Sequence, residues 1–131
     1  MECNELSSRG IDFIAHGLSK AHHLQSLNIK GNGIRDEGLD MIAEALLNCP
    51  SLEELDISVN EISPIGISSL ADVLPRSNVK ILIMNKNILG DESLIFIADK
   101  LCAFEQTKLI CLDVSSSRIG DKGIIYFWEK T

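Results

Sequence analysis

Apolar residues along this chain fall into two alternating patterns. Short stretches place them at every second position, as a strand with one buried face requires. Longer stretches place them three and four apart, as an amphipathic helix requires. The first pattern is plain in Leu24-Gln-Ser-Leu-Asn-Ile and again in Leu52-Glu-Glu-Leu-Asp-Ile. The second follows each time, as in Asp36-Glu-Gly-Leu-Asp-Met-Ile-Ala-Glu-Ala-Leu46. Strand ends are marked by Asn32, Asn60 and Asn87, whose side chains can turn inward and bond backbone groups that a turn leaves unpaired. Helix starts are marked by Asp36, Asp91 and Asp121, expected to cap free N–H groups, and by Pro64, which suits a first helical turn.

The two patterns recur together at a fixed period. Leu24-Gln-Ser-Leu-Asn-Ile-Lys-Gly-Asn-Gly-Ile34 and Leu52-Glu-Glu-Leu-Asp-Ile-Ser-Val-Asn-Glu-Ile62 both read LxxLxLxxNxI, and they start 28 residues apart. Val79-Lys-Ile-Leu-Ile-Met-Asn-Lys-Asn-Ile-Leu89 starts 27 residues later, and Leu109-Ile-Cys-Leu-Asp-Val-Ser-Ser-Ser-Arg-Ile119 another 30 residues on. The helical half repeats too, with a small residue at Gly10, Gly38, Gly66, Ser93 and Gly123, then Ala15, Ala43, Ala71 and Ala98, then Leu18, Leu46, Leu74 and Leu101. One such unit cannot bury its apolar face alone. Stacked, the units form an α/β solenoid with a parallel sheet on the concave side and helices on the convex side.

The expected organisation is a single domain: a partial repeat over 1–23, repeats over 24–51, 52–78 and 79–108, and a terminal repeat over 109–131. Asn4-Glu-Leu6 match the NxI portion of a unit whose strand is missing. At the other end Trp128 stands in the Ala column beside Tyr126 and Phe127, where its bulk is expected to close the open end of the core. A piece of a longer array, or an array with degenerate caps, is the preferred reading of these ends.

A unit of about 28 residues with a full helix and an Asn after the strand resembles the ribonuclease-inhibitor class of leucine-rich repeats, over residues 4 to 127. That class includes ribonuclease inhibitor, the Ran GTPase-activating protein and the sensor arrays of NOD-like receptors. The resemblance implies a right-handed leucine-rich-repeat solenoid and protein binding as its work. The matching residues are all structural, so no particular partner is implied.

Composition narrows the functional classes. With 45% hydrophobic and 24% charged residues the chain has an ordinary globular balance. No apolar run approaches the roughly 18 residues of a membrane span, and the acidic start Met1-Glu-Cys-Asn-Glu lacks the pattern of a signal peptide. A cytoplasmic protein is expected. A net charge of −7, with Lys and Arg scattered, argues against nucleic acid and membrane as partners. Cys3, Cys49, Cys102 and Cys111 form no CxxC pair and are expected to be reduced, with Cys49 and Cys102 structural and Cys111 exposed. His16, His22 and His23 lack metal-ligand spacing. The expected sets of catalytic, metal and cofactor-binding residues are therefore empty.

What remains is a surface. The non-leucine strand positions and the residues just after them should face the concave side, among them Gln25, Ser26, Asn28, Ser58, Asn85 and Ser115. Glu53, Glu54 and Asp56 form an acidic strip extended by Asp113. Beside it Ile81, Ile83, Ile110 and Cys111 place an apolar cluster on a surface that should be wet, and Val59 and Lys86 follow on the adjoining loops. These ten residues are the expected contact set of a non-catalytic protein–protein interaction module with a protein ligand. Glu54, Asp56 and Asp113 read as solvated charges rather than an acid/base pair, because the face is open to water. The alternatives are a small-GTPase regulator acting through loops around Asn32, Asn60 and Asn87, and a fragment of a larger sensor or effector. A homodimer through an exposed strand edge or the concave apolar patch is a further alternative.

Overall fold

Each strand is followed by a helix, and each pair repeats the one before it. The computed structural model describes residues 6–104 and 107–131. Among them the order is α1 (Ser8–Leu18), β1 (Ser26–Asn28), α2 (Arg35–Leu46), β2 (Glu54–Asp56), α3 (Pro64–Val73), a short 3-10 turn (Leu74–Arg76), β3 (Ile81–Ile83), α4 (Gly90–Cys102), β4 (Cys111–Asp113) and α5 (Asp121–Lys130). The strands make one parallel sheet in the order β1-β2-β3-β4, and each helix packs on the next. Cys3 and Asn4 lie outside the described residues; Leu6 N–H donates to the Asn32 carbonyl at 3.1 Å.

The strands pair without stagger. Leu27 stands beside Leu55, Leu55 beside Leu82, and Leu82 beside Leu112. Sequence columns therefore become rows in space, and the inward Leu and Ile rows meet the helix columns in one core. Leu55, Leu82, Ile57 and Met84 are fully buried, while Leu27, Leu112 and Val114 at the two ends are only half-buried. Full burial of one such side chain contributes about 1.5–3 kcal/mol, so the middle units hold most of the apolar stabilisation.

Asparagines staple the units together. Asn60 Nδ2 donates to the carbonyls of Ile57 (2.9 Å) and Ser58 (3.0 Å) in its own unit and Ile29 (3.0 Å) in the preceding one. Its Oδ1 accepts from Asn32 N–H (2.8 Å) and Ile34 N–H (3.3 Å). Asn87 repeats the arrangement one unit on, accepting from Asn60 N–H at 2.9 Å and Ile62 N–H at 3.1 Å. Ser117 takes the same place in the fourth unit with a shorter reach, accepting from Asn87 N–H at 3.3 Å.

The helix-start aspartates do something other than cap their own helices. The N-cap residue of α2, Ile34, makes no side-chain cap bond. The Asp36 carboxylate instead accepts from Ser63 N–H (2.8 Å) and Ser63 Oγ–H (2.6 Å) at the start of the next helix. Asp91 accepts from Gly120 N–H at 2.7 Å in the same way. This contact explains two members of the small-residue column, Gly66 and Gly123, whereas a Cβ on Gly38 would instead meet Ile34 Cγ2 at 2.5 Å. A Cβ on Gly66 would sit 2.5 Å from Asp36 Oδ1 and 3.1 Å from Asp36 Cα, and one on Gly123 would sit 2.6 Å from Asp91 Oδ1. Pro64 occupies the place of Asp in the unit between, at the first turn of α3 as expected. Opposite it the column holds Ser93, buried and donating to the Leu89 carbonyl at 2.7 Å.

Trp128 does not close the core. It is 82% exposed, while Phe127 packs half-buried against the apolar cluster and Tyr126 donates its hydroxyl to Asp99 at 2.6 Å. In the preceding units the same position holds a buried alanine (Ala43, Ala71 and Ala98) with the following helix over it, whereas among the described residues no helix lies over Trp128.

Candidate functional site

The zero-stagger register arranges the concave face in three rows across the strands. Just before the strands run Gln25, Glu53, Lys80 and Ile110. The next row is Ser26, Glu54, Ile81 and Cys111, and the last is Asn28, Asp56, Ile83 and Asp113.

The last row has a local structural reason. Asn28 Oδ1 accepts from Lys30 N–H (3.0 Å), Asp56 Oδ1 from Ser58 N–H (2.9 Å) and Asp113 Oδ1 from Ser115 N–H (3.0 Å). An Asn or Asp at the strand exit thus closes the turn that starts the loop. Asp113 also accepts from Asn85 Nδ2 at 3.0 Å. These bonds, first that from the Ser115 backbone and then that from Asn85, hold its carboxyl below the usual carboxylate range. Ile83 is the member of the row that lacks such a side chain, so turn chemistry does not account for it.

The residues gather as follows. Ile81 lies between Glu54 and Cys111, and Ile83 between Asp56 and Asp113. Glu54, Asp56, Ile81, Ile83 and Asp113 are half-buried, and Cys111 is exposed. Glu53 is exposed and paired with Lys80 Nζ at 2.6 Å. Both partners are nearly half exposed, so the pair is worth less than about 1 kcal/mol, but it offsets part of the acidic strip.

Three expected members stand apart. Ile110 is 78% exposed and lines a cleft of about 630 Å³ at the C-terminal end of the solenoid, with Leu101, Phe104, Leu109 and Phe127. Val59 and Lys86 lie on the rim, bordering a second depression of about 330 Å³ with Glu61, Ile88 and Arg118. Val59, Lys86 and Ser116 all have left-handed backbone (φ 56°, 53° and 54°), and Gly31 holds the same column at 69°. For a β-branched residue that conformation costs about 1–2 kcal/mol, which the stacked asparagines on either side impose.

Several expectations need correction. Ser58 is fully buried rather than presented on the concave face, because the Asp56 turn encloses it. Cys102 is exposed and lines the C-terminal cleft, whereas Cys49 is buried, its thiol 3.4 Å from the Ala21 carbonyl. Asn32, Asn60 and Asn87, by contrast, are buried (0–4% exposed) and bonded inward, as expected of them. Ile88 (45% exposed) and Arg118 also stand on the rim, outside the expected contact set; their signal is their place beside the buried Asn column. Among the described residues no cluster of three or more His, Cys, Asp or Glu is placed to hold a metal, and no helix is long and apolar enough to cross a membrane.

A comparison with curated protein sequences returned no match. Among solved structures the chain is similar to the actin-binding site 2 of leiomodin-1, with a TM-score of 0.81 and 16% identity, covering 95% of this chain and 72% of that one. It is similar also to the tropomodulin C-terminal domain of Caenorhabditis elegans, with a TM-score of 0.69 and 16% identity, covering 92% and 74%. At these identities the likeness is one of fold. A family model described as Leucine Rich repeat matches residues 20–43, 48–71 and 105–127, more than half of the sequence. With strand, inward asparagine and helix recurring in register, the chain belongs to the leucine-rich repeat family.

Proposed function

We propose that this chain is a non-catalytic, cytoplasmic interaction module that takes a protein ligand on its concave face. The observation that carries the reading is the pair Ile81 and Ile83 at the middle of that face, set between Glu54 and Asp56 on one side and Cys111 and Asp113 on the other. Neither isoleucine is needed for a turn, and neither faces the core. An apolar spot flanked by carboxylates suits a protein segment that presents an apolar side chain beside Lys or Arg. Glu53, Val59, Lys86 and Ile110 form the outer part of the same contact. That a structurally similar domain is an actin-binding site supports a protein as the class of ligand.

The test is affinity capture from native cell extract with the wild-type chain and with the double variant Ile81→Glu, Ile83→Lys, read by quantitative mass spectrometry. Both side chains lie outside the core cluster, so the circular dichroism spectrum should be retained. The reading requires proteins held by the wild type to be lost from the variant. An identical set on both would overturn it.

A further inference from the structure

Two columns on the rim break their own pattern at one spot. The first holds Gly31, Val59, Lys86 and Ser116, all with left-handed backbone, and Val59 is the member whose β-branched side chain suits that conformation least. The second holds Gly33, Glu61, Ile88 and Arg118, and Ile88 is its one apolar side chain. Val59 is 40% exposed and Ile88 45%, so neither is placed for the core. Both line the depression of about 330 Å³. A strained residue that gains little burial in return is a mark of contact with something outside the fold.

Charge says what the depression takes. Lys86 and Arg118 stand on its wall, and among the described residues neither is in an ion pair. The acid beside them, Glu61, is held by Arg35 at 3.0 Å. Positive charge is thus left uncompensated next to two apolar side chains, within a chain of −7. The strands next door carry the other sign, in Glu54, Asp56 and Asp113. The two regions adjoin, since Val59 N–H donates to the carbonyl of Asn85, two residues past Ile83, at 3.1 Å.

We propose that the rim depression takes an apolar side chain of the protein ligand with an Asp or Glu next to it, the apolar group on Val59 and Ile88 and the carboxylate at Lys86 and Arg118. The proposal rests on the concave reading, in which the same ligand sets an apolar residue beside Lys or Arg over Ile81 and Ile83. It adds Ile88 and Arg118 to the contact and gives the ligand a direction. The bound segment runs from the acidic strands to the basic rim with its own charges in the opposite order, and a segment of reversed polarity meets like charge at both places.

Photo-crosslinking in native cell extract, with the modified residue located by tandem mass spectrometry, tests the rim and the concave face separately. A benzophenone amino acid at position 88 should capture the same protein as one at position 81, on a residue that adjoins Asp or Glu. Lys86→Glu with Arg118→Glu should cut the position-88 adduct at least about tenfold. Val59→Gly separates contact from folding: glycine is at ease in the left-handed region, so the urea midpoint should hold or rise while the adduct falls several-fold. Adducts at position 81 with none at position 88, or position-88 adducts indifferent to the charge reversal, would overturn the rim proposal and leave the concave reading standing. A lower midpoint for Val59→Gly would make Val59 a residue of the fold and overturn its part in the contact. No adduct at position 81 would overturn the concave reading, and the rim proposal with it.

Discussion

The unit of β3 and α4 and the unit of β4 and α5 share one pattern and differ in what lies beyond them. In the first, Leu82, Met84, Ile97 and Ala98 are all sealed; in the second, Leu112, Val114 and Phe127 are half-buried and Trp128 is exposed. Inter-unit asparagine bonding also thins, from Asn87 with its two inward donations to the shorter Ser117. Burial here belongs to the interface between neighbours, not to the unit itself, as expected for a quasi-one-dimensional fold. A residue in a given column is core or surface according to whether another unit follows.

The largest effect should come from the inward leucines. Leu55→Ala or Leu82→Ala should lower unfolding free energy by about 2–5 kcal/mol in urea titrations. Leu112→Ala, already half open to water, should cost less than half of that; equal losses would mean that the terminal unit is as tightly held as the middle ones.

Smaller, and sharper, is the coupling between aspartate and glycine. Gly66→Ser should cost about 1–3 kcal/mol, because its Cβ meets Asp36. Ser93→Gly, opposite Pro64, should change stability by about 1 kcal/mol or less. Adding Asp36→Ala to Gly66→Ser should recover part of the loss in a double-mutant cycle, and no coupling would contradict the contact.

The smallest effect concerns pH. The folded pKa of Asp113 lies below its unfolded value, so its contribution to stability is present above the ordinary carboxylate range and lost as pH falls through the folded value. Asn85→Ala removes one of the bonds responsible, and should move the Asp113 carboxyl upward in an NMR titration. An unmoved titration would show that the bond is not formed in solution.

Much of the fold is legible in the sequence because the units are nearly equal in length. Equal spacing makes the strands pair without stagger, so aligned letters become neighbours, and the concave rows of Glu54, Ile81 and Cys111 follow from counting. The inward turn of Asn60 and the first-turn place of Pro64 are legible for the same local reasons. The aspartates are not: Asp36 and Asp91 look like caps in one dimension, and only the stacking of helices shows that they bond the next unit. The end of the array is illegible too. Whether Trp128 folds over the core or faces outward, and whether Ile110 joins the concave cluster or the cleft beside it, depends on what is packed against the last described unit rather than on residue type.

The central claim is that a protein ligand sits on the concave rows and not on the helices. Site-specific photo-crosslinking tests it whatever the ligand's identity. A benzophenone amino acid at position 81 should give discrete adducts in native extract, while the same group at the exposed position 44 on convex α2 should give only background. Adducts at position 44 with none at position 81 would contradict the claim.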